Sequence, residues 1–113
     1  MLKNGLKVVK EITFQSRDNI FVKFGFVMAF LLYYTFKQFF GKGPCLFPKM
    51  NIYWEGSIFK TRKNTLDFWM LWKNYEPETT KYLLEKSNQG YFIDVGANIG
   101  RYSILMANKG WNV

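Results

Sequence analysis

Histidine is absent from this sequence, and cysteine occurs once in 113 residues. Without imidazole, the chain has no histidine acid–base chemistry and none of the usual zinc-ligand sets, so no metal site is expected. The lone thiol, Cys45, excludes an internal disulfide and suits a reducing compartment, which points to a cytoplasmic location. Acidic residues are scarce: 8 Asp and Glu stand against 16 Lys and Arg, a net charge of +8. That surplus suits either an anionic neighbour (nucleic acid, acidic lipid head groups, a phosphorylated substrate) or a surface that merely keeps the chain soluble. Internal repeats and low-complexity tracts are also missing. What the chain has in quantity is apolar and aromatic side chains, 49% and 20% of residues, enough to argue against disorder. Its length suits one small domain with one modest core.

The sequence divides near residue 48. Residues 1–19 are basic and only loosely patterned, with Lys3, Lys7, Lys10 and Arg17 against Glu11 and Asp18. "IFVKFGFVMAFLLYYTFKQFF", residues 20–40, is much more apolar and predicts one continuous helix, since it contains no proline and its single glycine, Gly25, lies near the start. The uncharged run from Phe24 to Phe36 is short for a membrane span, which needs about 20 apolar residues. Lys23, Phe30 and Lys37 share one side, leaving a thin basic line on a helix that is otherwise apolar all round. A core-packed or interfacial helix is expected rather than a span. No small-residue cleavage pattern follows, which disfavours a signal peptide. "GKGPCLFP", residues 41–48, ends the helix and forms a linker.

Residues 49–113 hold shorter elements. "NIYWEGSIFKTRK" predicts a hairpin turning at Glu55-Gly56-Ser57 and packing through Tyr53, Trp54, Ile58 and Phe59. "NTLDFWMLWKNY" predicts a helix capped by Asn64 or Thr65, with Leu66, Trp69 and Met70 as its apolar stripe. Trp69 and Trp72 are spaced as core residues, although such a pair could also stack on bases. "EPETTKYLLEKSNQG" predicts a helix with Pro77 in its first turn, an apolar face of Leu83 and Leu84, and Gly90 as its cap. "YFIDV", residues 91–95, reads as a buried strand, "GANIG" as a tight turn, "RYSILMANKG" as a helix and "WNV" as the start of another strand. Phe92, Ile93, Val95, Ile104 and Leu105 are expected to be buried. Strand, glycine turn, helix and strand open a βαβ unit, whose ligands lie beyond the carboxyl ends of the strands.

The spacing in this turn discriminates among ligands. D-x-G-x-x-x-G, from Asp94 to Gly100, lacks the middle glycine of a dinucleotide fingerprint and the G-K-[ST] of a P-loop. A carboxylate at a strand end suits a ligand carrying a cationic group. The bland alternative is a plain βα turn with Asp94 bonded to nearby backbone amides.

"FIDVGANIGRYSILMA", with "YEPET" some twenty residues upstream, resembles motif I of S-adenosylmethionine-dependent methyltransferases, and more narrowly the FkbM family. The resemblance covers about residues 60–113. It implies an α/β fold: the start of a Rossmann-like class I methyltransferase, preceded by N-terminal helices and a hairpin. It further implies S-adenosylmethionine as cofactor, with Asp94 at its methionine end and Gly96 and Ala97 bringing backbone against it. Asn98 and Gly100 would shape the turn, and Glu76 would stand at the pocket edge. The ribose-binding acid, the adenine pocket and the substrate residues of such enzymes would follow the second strand. The chain is therefore expected to be an N-terminal part, inactive alone, with its methyl acceptor and catalytic residues unassigned. Two other readings stand beside this one: a small membrane-associated protein anchored by residues 20–40, and a basic nucleic-acid-binding module, with the nucleic-acid reading the less favoured.

Overall fold

The computed structural model describes residues 2–87 and 90–113. Two helices come first, α1 over Leu2–Gln15 and α2 over Ile20–Phe40. The hairpin strands β1 (Asn51–Trp54) and β2 (Ser57–Lys60) follow, then α3 (Asp67–Met70), α4 (Pro77–Leu84) and α5 (Arg101–Asn108).

The N-terminal region is helical where the sequence reads as loosely patterned. Gly5, Val8, Ile12 and Ser16 repeat on one face, and all four are buried. With a glycine and only two large apolar residues on that face, packing stabilises α1 more than intrinsic propensity does. α2 is one unbroken helix, as expected. Asn19 caps it by accepting a hydrogen bond from Val22 N at 3.1 Å, and Gly41 closes it in the left-handed region. The connection between the two helices is fixed to β1. Asp18 accepts from Ser16 Oγ (2.7 Å), Asn51 N (2.7 Å) and Asn51 Nδ2 (2.8 Å), and Arg17 N donates to Asn51 O.

After α2 the linker doubles back over the helix. At Gly43 a Cβ would lie 2.3 Å from Tyr33 O, so no larger residue permits this approach. The linker thereby delivers Phe47 and Met50 to the core. Phe26, Phe47 and Phe68 meet with ring centroids 4.7–5.9 Å apart, the tilted and edge-on geometry that aromatic rings favour. Val8, Ile12, Ala29, Phe30, Ile52, Trp54, Phe59, Leu71, Leu83, Leu105 and Met106 complete a single apolar cluster.

The hairpin is antiparallel, pairing Asn51 with Lys60 and Trp54 with Ser57 around a two-residue turn, Glu55-Gly56, at positive φ. Its inward face is Ile52, Trp54 and Phe59; Tyr53 and Ile58, expected to pack, are exposed because they occupy the opposite face of the pleat. The helix expected to be capped by Asn64 or Thr65 is a single turn with Leu66 at its cap position and no side-chain cap. Phe68 and Leu71 carry its burial, while Leu66 is exposed. Pro77 begins α4 as expected, but the helix closes at Leu84, so Gly90 is not its cap, and residues 88 and 89 lie outside the described residues. Leu83 is buried and Leu84 exposed.

Asp67 ties the segment between hairpin and α3. Although it is 3% exposed, it accepts from Arg62 N (2.9 Å), Nε (2.9 Å) and Nη2 (2.8 Å). The Arg62 side chain holds its carboxyl below the usual carboxylate range. A depressed folded-state value means the contribution is complete above the unfolded value of about 3.9 and is lost as pH falls through the folded one. Urea midpoints should therefore fall on acidification below about pH 4. Asp67→Asn should lower the neutral-pH stability by about 1–3 kcal/mol and flatten that acid limb; an unaltered limb would show that other carboxylates set it.

Candidate functional site

The expected buried strand at 91–95 is an extended segment with one parallel bridge, Tyr91 to Asn112. Phe92 N donates to Asn112 O at 2.7 Å, and Asn112 N donates to Gly90 O at 3.0 Å. Burial of Ile93 and Val95 is not observed: they are 84% and 91% exposed, because no element among the described residues covers that face. Phe92 and Ile104 are half-buried against the core, and Leu105 is buried.

At the end of this segment the chain turns sharply. Gly96 (φ 78°), Asn98 (φ 52°) and Gly100 (φ 72°) are all left-handed, and Gly100 N donates to Ala97 O at 2.7 Å. Glycine and asparagine tolerate this region, which explains the spacing of G-A-N-I-G. Gly100 then occupies the cap position of α5 without a side-chain cap.

Around the turn lies a cleft of about 290 Å³, lined by Glu76, Asp94, Gly96, Ala97 and Asn98 together with Met70, Tyr75 and Tyr102. Five of the six residues expected at a cofactor site thus share one cleft. The sixth, Gly100, stands behind it at the helix start. Asp94 Oδ2 accepts from Ser103 Oγ at 2.7 Å; it bonds a hydroxyl of the first helical turn rather than the backbone amides of the bland reading. Its Oδ1 has no hydrogen-bond partner among the described residues. Glu76 is similarly half-engaged, with Oε2 accepting from Tyr102 Oη at 2.6 Å. Burial, and then the bond to Glu76, push the Tyr102 hydroxyl above the usual phenol range. Asn98 Nδ2 donates to Met70 Sδ at 3.2 Å, orienting the tip of the turn.

Arg101 was not foreseen as part of this site. It is 3% exposed, with Nη1 donating to Tyr75 O (2.9 Å) and Nη2 to Thr80 Oγ1 (3.0 Å). Its guanidinium lies 4.4 Å from the Trp54 ring and just over 5 Å from the Tyr75 and Tyr102 rings. No carboxylate forms a salt bridge with it among the described residues, and burial pulls its pKa below the ordinary arginine value. The available signal was its i, i+4 spacing to Leu105, which puts Arg101 on the buried face of α5. Trp69 and Trp72, the other aromatic candidates, pack against the core, and Trp72 Nε1 donates to Glu11 Oε2 at 2.7 Å.

Comparison with protein-family models, with curated proteins and with solved structures gives no match.

Proposed function

We propose that this cleft receives the amino-acid end of S-adenosylmethionine, and that the chain is part of a methyltransferase of FkbM type acting on an unassigned acceptor. The observation that carries this reading is the convergence of Asp94, Glu76 and the left-handed turn on one concavity. The residues present fit the methionine end. Each carboxylate has one oxygen held by a neighbouring hydroxyl and one left for an ammonium or other cationic donor. Nothing lies within 4 Å of where a Cβ on Gly96 would sit, so a ligand can approach the backbone there. The volume is near the lower bound of small-molecule sites, about 300–1,000 Å³, and suits part of the cofactor rather than the whole.

When bound, the cofactor supplies an electrophilic methyl on a sulfonium. The chain's own residues bind and orient: Asp94 and Glu76 hold positive charge, the turn presents backbone, and Tyr102 fixes the Glu76 rotamer. The parallel bridge across α5 has the pairing of a βαβ crossover, which favours the α/β reading. Tyr91, Ile93 and Val95 present the apolar face that further sheet or helix would cover.

A cleft of about 290 Å³ holds only the methionine end of the cofactor, so its affinity is expected in the millimolar range. Competition calorimetry should find millimolar affinity for S-adenosylmethionine and no binding in Asp94→Ala or Gly96→Val. Valine is strained at φ 78° and fills the approach. Wild-type affinity in both variants would refute the assignment.

A further inference from the structure

α2 is apolar on two opposite sides, and only one of them is covered. Phe26, Ala29 and Phe30 face the core. Across the helix, Phe21, Phe24, Met28, Leu31, Leu32 and Phe39 fall within an arc of roughly 100° at 3.6 residues per turn. All six are exposed, Phe21 at 82% and Phe39 at 78%. No charged residue falls in that arc; Lys23 and Lys37 project from the other side. Two polar side chains interrupt it: Thr35, whose Oγ1 donates to Leu31 O at 2.8 Å, and the exposed Gln38 near the end of the helix. A contiguous apolar face of this kind marks a binding surface rather than ordinary scatter.

Beside this face runs a groove of about 1160 Å³ between α1 and α2. Val9, Phe14, Ile20 and Val27 line it with the basic residues Lys7, Lys10, Lys23 and Lys73. Its one acid, Glu11, is already engaged by Trp72 Nε1 and Lys73 Nζ. Lys7, Lys10 and Lys23 have no carboxylate partner among the described residues. Ile20 belongs to the groove and begins the exposed stretch of α2, so the basic and apolar surfaces are continuous.

We propose that α1 and α2 form a docking surface for a bilayer carrying anionic phospholipid. The outer face of α2 lies in the membrane plane at the boundary of head groups and acyl chains, and the lysines of the groove take a lipid phosphate. Charge complementarity selects this occupant: an uncharged, largely apolar strip bordered by a groove holding the unpaired Lys7, Lys10 and Lys23 matches an interface that is apolar below and anionic above. The inner face of α2 sets the orientation. By length and composition the helix could cross a membrane, but a span would exchange the Phe26–Phe47–Phe68 cluster for lipid.

The test is flotation of the 113-residue chain with vesicles of phosphatidylcholine, with and without phosphatidylserine. Binding should require the serine lipid and weaken as salt rises. Each lysine near such a surface contributes about 1 kcal/mol, so Lys7→Ala/Lys10→Ala should weaken binding about 30-fold. Phe24→Glu, on an exposed position, should leave the circular dichroism unaltered and reduce binding at least tenfold. Phe24→Trp, Leu31→Trp and Phe39→Trp, each read against the signal of the four native tryptophans, should show one shared shallow depth by brominated-lipid quenching. Four outcomes would overturn the proposal: no flotation, undiminished flotation of Phe24→Glu, a Leu31 position much deeper than both ends, or a lipid-independent dimer dissolved by Phe24→Glu.

Discussion

Phe26→Ala is expected to bring the chain close to unfolding. Phe26 is fully buried and touches three other rings, Phe30, Phe47 and Phe68, each contributed by a different turn or segment. Removing a buried phenyl group costs about 3–5 kcal/mol, from lost transfer energy and from the cavity left behind. A domain of this size has only about 5–15 kcal/mol in total. Chemical denaturation should show a greatly lowered midpoint with little change in slope. Phe24→Ala, on the opposite side of the same helix, should shift stability by no more than about 0.5 kcal/mol. Similar costs at the two positions would mean that α2 does not pack by the face described.

The second large effect belongs to Arg101. Its guanidinium joins α5 to the hairpin through Trp54, to the segment before α4 through Tyr75, and to α4 itself through Thr80. Arg101→Ala leaves the Tyr75 carbonyl without its donor beside a cavity, while the Thr80 hydroxyl keeps its bond to Glu76 O, a loss of about 2–4 kcal/mol. Arg101→Met should cost clearly less, because it keeps the packing against Trp54 and buries no charge. Arg101→Lys should fare worse than Met, since an ammonium neither stacks flat on an indole nor donates in a fork. Thermal melts of the three variants give the order. Equal losses would show that neither the stacking on Trp54 nor the forked hydrogen bonds set the contribution of Arg101.

Legibility of the fold varied with the kind of signal. α2 was readable because an apolar run without proline, ended by glycines and prolines, has few other outcomes. The Glu55-Gly56 turn and the start of α4 at Pro77 were readable from backbone chemistry. Which hairpin face packs was not, because Tyr53 and Ile58 are as apolar as Ile52 and Phe59 and only tertiary contacts decide the parity. α1 was hidden by Gly5 and by its many lysines. Residues 91–95 have the composition of a buried strand, yet burial needs neighbours, and only Asn112 pairs with them among the described residues. The cleft was legible because the left-handed positions at Gly96, Asn98 and Gly100 force the turn. Arg101 was not, because a charged residue at a helix start ordinarily faces water.

The cofactor cleft is tested most directly by amide chemical shifts during titration with S-adenosylmethionine. Gly96, Ala97 and Asn98 are expected to move together, saturate in the millimolar range and stay still in Asp94→Ala. Shifts confined to the groove between α1 and α2, or none at these three amides at saturating cofactor, would contradict it.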